Sequence, residues 1–219
     1  MTARFLTLCA ASACLFLAAC GGGGSDAPGA DTSAGGSRSQ APLAGGGSAL
    51  PPAPAGLSGN VTCVNMQIGA IDLDSVIVPD NAACALAGTR LNGSIIVGTG
   101  ARLDAVAVNV NGNVQAEGSE HVALTEASFV GGSVQIKQGG SARVDGIRIS
   151  GDLQFDAMRD QVTASGNRVG GNVQVVGNRG GAAIDGNTIV GNLQCKENLP
   201  APTGGANVAT IKEDQCRDL

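Results

Sequence analysis

From Gly93 onward the chain repeats itself with a period of about 20 residues. Each unit opens with Gly, a small polar residue and an aliphatic one: Gly93-Ser94-Ile95, Gly112-Asn113-Val114, Gly132-Ser133-Val134, Gly151-Asp152-Leu153, Gly171-Asn172-Val173 and Gly191-Asn192-Leu193. A unit this short cannot enclose a core alone, so it must bury its apolar side against copies of itself. The third and fifth positions of each unit are apolar, and the second and fourth are mostly polar. That is the period of a strand with one buried face. A second strand-like stretch closes the units: Val106, Val108 and Val110; Ile147 and Ile149; Val169; Ile189. No helical pattern accompanies them. Two or three short strands per unit, joined by turns containing Gly and Asn, predict an all-β, single-stranded parallel β-helix of about 20 residues per coil, spanning 59–219. The opening glycines, and pairs such as Gly170-Gly171, are expected to supply the backbone angles of tight corners. With no Trp, no Tyr and four Phe, the core must be aliphatic. Phe155 is expected inside it, and Phe129 either inside or at a turn.

Over roughly residues 59–200, this period and pattern resemble the right-handed parallel β-helix of the pectate-lyase-like group. The resemblance implies a fold; it carries no catalytic motif. A left-handed β-helix would show a hexapeptide period, a propeller needs blades of about 40 residues, and an outer-membrane barrel wants aromatic girdles. None of these is present.

Four cysteines lie in this region. Cys63 and Cys195 end the strings Gly59-Asn60-Val61-Thr62-Cys63 and Gly191-Asn192-Leu193-Gln194-Cys195, at the fifth, inward position. Each has a candidate partner close to one coil further on, Cys84 and Cys216 respectively. Stacked coils bring equivalent residues to about 4.8 Å, within reach of a disulfide. The spacing predicts Cys63–Cys84 and Cys195–Cys216, stapling irregular end caps at 64–92 and 196–219. Such caps would cover the raw strand edges of a solenoid and keep it a monomer. No CxxC occurs and His121 is the only histidine, so the spacing does not suit a zinc site. The segment from Gly191 to Cys216 resembles the closing segment of uncharacterised exported β-helix proteins, a group with no activity to transfer.

The first residues have a different character. Arg4 is the only charge before an uncharged, largely apolar run from Phe5 to Ala19, too short to span a bilayer as a helix. The run ends in Leu17-Ala18-Ala19-Cys20, which resembles the lipobox of bacterial lipoproteins. The resemblance implies cleavage before Cys20, acyl chains on that cysteine, and a signal peptide over 1–19. Multiple acyl chains anchor a protein to the bilayer firmly. The Gly at 21 fits sorting to the outer membrane. Residues 20–58 are rich in Gly, Ala, Ser and Pro and are expected to form a disordered tether. Beyond Cys20 this tether would reach about 30–35 Å.

Net charge is −5, with neither basic clusters nor stacking aromatics, which argues against nucleic acid as a partner. Gln115, Gln135, Gln154, Gln174 and Gln194 form one column, beside Asn113, Ser133, Asp152, Asn172 and Asn192. An amide ladder along the solenoid is the expected role. Asn167 and Asn187 suggest a second, shorter ladder at a turn. Glu126, Asp145 and Asp185 are expected to share another column, with Arg148 and Arg168 close by. This arrangement resembles that of Ca²⁺-dependent polysaccharide lyases, which implies Ca²⁺ as a cofactor and an acidic glycan as substrate. A solvated face with weak ion pairs is the plainer account. The expected function is a lipid-anchored envelope or surface protein presenting a rigid β-helix for an interaction or structural role, with an envelope protein or glycan as partner. The alternative is a carbohydrate-active β-helix using Glu126, Asp145, Arg148, Arg168 and Asp185.

Overall fold

The computed structural model describes residues 49–219. Every strand pairing in it is parallel, and the strands form three sheets that run the length of a solenoid of about eight coils. The first sheet has nine strands, from Asn60–Thr62 to Lys212–Asp214. The second has eight, from Met66–Ile68 to Thr203–Gly205, and the third has seven, from Asp72–Leu73 to Thr188–Ile189. The first seven coils contribute three strands each, and the chain steps from sheet to sheet around a closed core.

The repeat openings all lie in the first sheet, in register: Ile95 pairs with Val114, Val114 with Val134, Val134 with Leu153, Leu153 with Val173, and Val173 with Leu193. All six side chains are fully buried. The other sheets complete the interior with Leu124, Val144, Ala164 and Ile184 on one side and Val110, Val130, Ile149 and Val169 on the other. Phe155 is buried. Its coil carries Ala164 where the flanking coils carry Val144 and Ile184, which offsets the volume of the ring.

The opening glycines serve a purpose other than the expected one. Gly112 and Gly151 are not among the residues with positive φ. A Cβ on Gly112 would instead collide with Ser94 Oγ and the Gly93 carbonyl of the coil below. That oxygen is needed there: Ser94 Oγ accepts the amide N–H of Asn113 at 2.9 Å. The pattern continues coil after coil. Ser75 Oγ accepts from Ser94, Asn113 Oδ1 from Ser133, Ser133 Oγ from Asp152, Asp152 Oδ1 from Asn172, and Asn172 Oδ1 from Asn192, all between 2.7 and 3.1 Å. The Gly-polar dipeptide is therefore one device: glycine opens the space through which the lower side chain satisfies the upper backbone.

Both predicted disulfides are present, with Cα separations of 5.7 Å for Cys63–Cys84 and 5.2 Å for Cys195–Cys216. They do not join equivalent positions of stacked coils. Cys84 lies in the second sheet opposite Met66, while the Cys63 amide bonds to Ile77 in the first. Cys195 pairs with Asp214, which precedes Cys216 in the chain. Each bridge joins a buried strand cysteine, Cys84 or Cys195, to a buried cysteine just outside a strand, Cys63 or Cys216. The expected irregular caps are also absent: 64–92 carries strands of the first two coils, and 196–214 continues all three sheets through Thr203–Gly205, the Thr188–Val208 bridge and Lys212–Asp214. The first coil is short: the step from Asn60 to its partner Ser75 is smaller than the step from Ile95 to its partner Val114. The solenoid also begins before residue 59. Pro52 bridges Gln67, the Ala53 amide donates to the Gln67 carbonyl, and Ala53 and Leu57 pack on the core. The end of the expected tether thus covers the first coil.

Candidate functional site

The second sheet ends in a corner, and the third sheet begins just beyond it; the predicted ligand face straddles that corner. Asp145 pairs with Ser165 and Ser165 with Asp185, as expected of one column. Glu126 is not part of it. Leu124 pairs with Val144, so Thr125 takes the column position and Glu126 falls in the turn. The cause is a single insertion. The step from Leu124 to Val144 is longer by one position than the step from Val130 to Ile149. The extra length is absorbed by Glu126 and Ala127, both in the left-handed region with φ of 55° and 57°. Asp145 turns away from Arg148 and pairs with Arg143 on its own strand. Its other carboxylate oxygen is enclosed without a hydrogen-bond partner. Asp185 is exposed on the far side of Ser165.

Arg148 and Arg168 are brought together, directly opposite each other on adjacent strands of the third sheet, with Phe129 next in the same column. Phe129 points outward and is half-buried, so this face does carry an aromatic ring. Beside them runs an open groove of about 510 Å³ lined by Phe129, Ser128, Ile147, Arg148, Arg168 and the turn glycines.

The corner beneath is a buried amide ladder. Asn187 Oδ1 accepts from the Asn167 backbone and side-chain amides, while Asn187 Nδ2 donates to the Ala164 carbonyl and to Asn207 Oδ1. Asn167 and Asn187 therefore form the expected turn ladder, extended by Asn207. A third ladder was not legible from the repeat alone: Asn178 and Asn198 stack at the corner between the first and second sheets and end on Gln215. The glutamine column is in register, yet its only side-chain hydrogen bond among the described residues runs from Gln194 to Glu213. The small polar column beside it makes the ladder instead.

His121 does not stand alone. Its ring Nδ1 lies 2.7 Å from Ser141 Oγ on the next coil, and its Nε2 lies 3.8 Å from Asp104 on the previous one. The residue types are those of a nucleophilic triad, but the geometry falls short of one. The Asp104 separation exceeds hydrogen-bond length. The amides around Ser141 are occupied by the sheet: Gly140, Ser141 and Ala142 donate to Ser119, Glu120 and Gln161. No backbone donor there is free to hold an oxyanion. Among the described residues no group of three His, Cys, Asp or Glu side chains converges as metal ligands. Of its carboxylate column, the Ca²⁺ expectation therefore retains Asp145 and Asp185, two rungs apart with Ser165 between them. Cys20, the predicted lipidation site, and the signal segment before it lie outside the described residues. No protein-family model, curated protein or solved structure matches the chain.

Proposed function

We propose that this chain is a non-enzymatic envelope or surface protein, tethered through acyl chains on Cys20, that presents the solenoid as a rigid scaffold for an interaction. The observation that carries this reading is where the polar side chains are used. The Ser/Asn/Asp column and the two asparagine ladders bond one coil to the next, and the sole Ser–His–Asp grouping sits where every nearby amide is already paired. The structure invests its polar groups in stiffness along the axis. Two disulfides lock the terminal coils, a chemistry that suits an exported protein. The glycan-active alternative loses Glu126 from its carboxylate column and Asp145 to Arg143. Metabolic labelling with radioactive palmitate tests the anchor: label and membrane association are both expected, and both are lost in Cys20→Ala. Unlabelled protein, or Ca²⁺-dependent cleavage of an acidic polysaccharide by the purified chain, would overturn the reading.

A further inference from the structure

Among the arginines that lie in strands, two adjacent ones break the pattern of the others. Five arginines lie in strands, and three are matched by a carboxylate: Arg90 with Asp72 at 3.6 Å, Arg102 with Glu120 at 2.7 Å, and Arg143 with Asp145. Arg148 and Arg168 have no carboxylate oxygen within 4.0 Å among the described residues. They also face each other directly across a strand pair, an arrangement that costs a sheet stability. The fold does not require it. In the same column Asp72 meets Arg90, and the position after Arg168 is Thr188. A local conflict of this kind, with no compensation inside the protein, points to a ligand.

The surroundings specify what that ligand carries. Gly146 and Gly166 turn the corner with φ of 65° and 63°, and a Cβ on either would meet nothing within 4 Å. The backbone beside the arginines is therefore bare and forms the floor of the groove. Phe129 closes one end of the arginine row. The groove of about 510 Å³ falls within the size range of small-molecule sites.

We propose that this groove binds a small organic anion, a carboxylate or phosphate monoester carried on an apolar or aromatic body. Two guanidinium forks present planar paired donors to the anionic group, whose charge relieves the repulsion between them. Phe129 receives the apolar body. A nucleic-acid strand does not fit, because two cations on a chain of net charge −5 neutralise too little phosphate. The site extends the proposed interaction role by naming a ligand class, and it is independent of the anchor at Cys20.

Isothermal titration calorimetry of the full chain in uncharged detergent tests this with phenyl phosphate and benzoate, against inorganic phosphate and benzyl alcohol. Saturable binding of phenyl phosphate or benzoate is expected, weaker binding of inorganic phosphate, and none of benzyl alcohol. Arg148→Gln with Arg168→Gln should weaken it at least tenfold, and Phe129→Ala several-fold. All three residues point outward, so circular dichroism should be unchanged. Absence of saturable binding to both aromatic anions, equal affinity in the double arginine variant, or equal affinity for inorganic and phenyl phosphate would overturn the proposal. None of these results depends on palmitate labelling.

Discussion

Two corners of the solenoid solve the same problem with different side chains. Between the third and first sheets the turn is open to solvent, and Ser94, Asn113, Ser133, Asp152 and Asn172 serve interchangeably. Each needs only an oxygen to accept one amide from the coil above. Between the second and third sheets the turn is enclosed, with Asn167 and Asn187 each 1% exposed. Here a strand carbonyl and an amide must both be satisfied without water. Only a side chain with donor and acceptor does this, and the last three coils all use Asn. In these last coils, therefore, solvent access separates the two corners; earlier coils fill the enclosed corner with Thr89, Val108, Ser128 and Ile147, all buried. The glycines follow the same division. Gly151 makes room for a neighbouring coil, whereas Gly146 adopts a left-handed turn.

This contrast can be broken most sharply at the enclosed corner. Asn187→Asp would turn a carboxylate oxygen toward the Ala164 carbonyl and Asn207 Oδ1, burying an unpaired charge. A loss of about 3–5 kcal/mol in urea unfolding is expected. Next come the end staples, which touch neither corner. Cys63→Ala with Cys84→Ala should cost about 3 kcal/mol by loop entropy and leave the ladders formed in the folded protein. Gly151→Ala drives a methyl into Ser133 Oγ and the Gly132 carbonyl, for a loss of about 1–3 kcal/mol. Gly146→Ala meets no neighbour and should cost only the left-handed strain of about 1–2 kcal/mol. The smallest effect belongs to Asn113→Asp. It keeps the accepting oxygen at an exposed corner between Ser94 and Ser133 and should stay within about 0.5 kcal/mol. If Asn113→Asp and Asn187→Asp cost the same, solvent access does not explain the two corners.

The solenoid was legible because the repeat openings combine a fixed spacing with strand alternation, and both signals come from one buried face. The second sheet was harder to see. Its inward residues vary in size, as in Ala105, Leu124, Val144 and Ala164, and a glycine directly precedes only some of its strands, as Gly140 and Gly181 do. Column assignments failed wherever a coil changed length. A single insertion moved Glu126 out of the carboxylate column, and the short first coil put Cys84 beside Met66 instead of above Cys63. The pairing of the cysteines survived because a disulfide spans neighbouring faces as readily as stacked positions. Arg148 and Arg168 were readable as a pair from their one-coil spacing, and His121 with Ser141 has the same spacing. Phe129 was ambiguous, since an aromatic residue preceding a buried valine can face either way. The Asn178 ladder spans only two coils before Gln215, too few to stand out as a repeat.

Native-state hydrogen exchange at the exposed corner tests rung-to-rung bonding most directly. The amides of Asn113, Ser133, Asp152 and Asn172 have no strand partner, and their protection depends on the side-chain oxygen of the coil below. Exchange as slow as that of the neighbouring strand amides of Val134 and Leu153, despite their solvent-facing position, is the predicted result. Rates typical of open surface loops at these four positions would contradict the stacked, in-register coil.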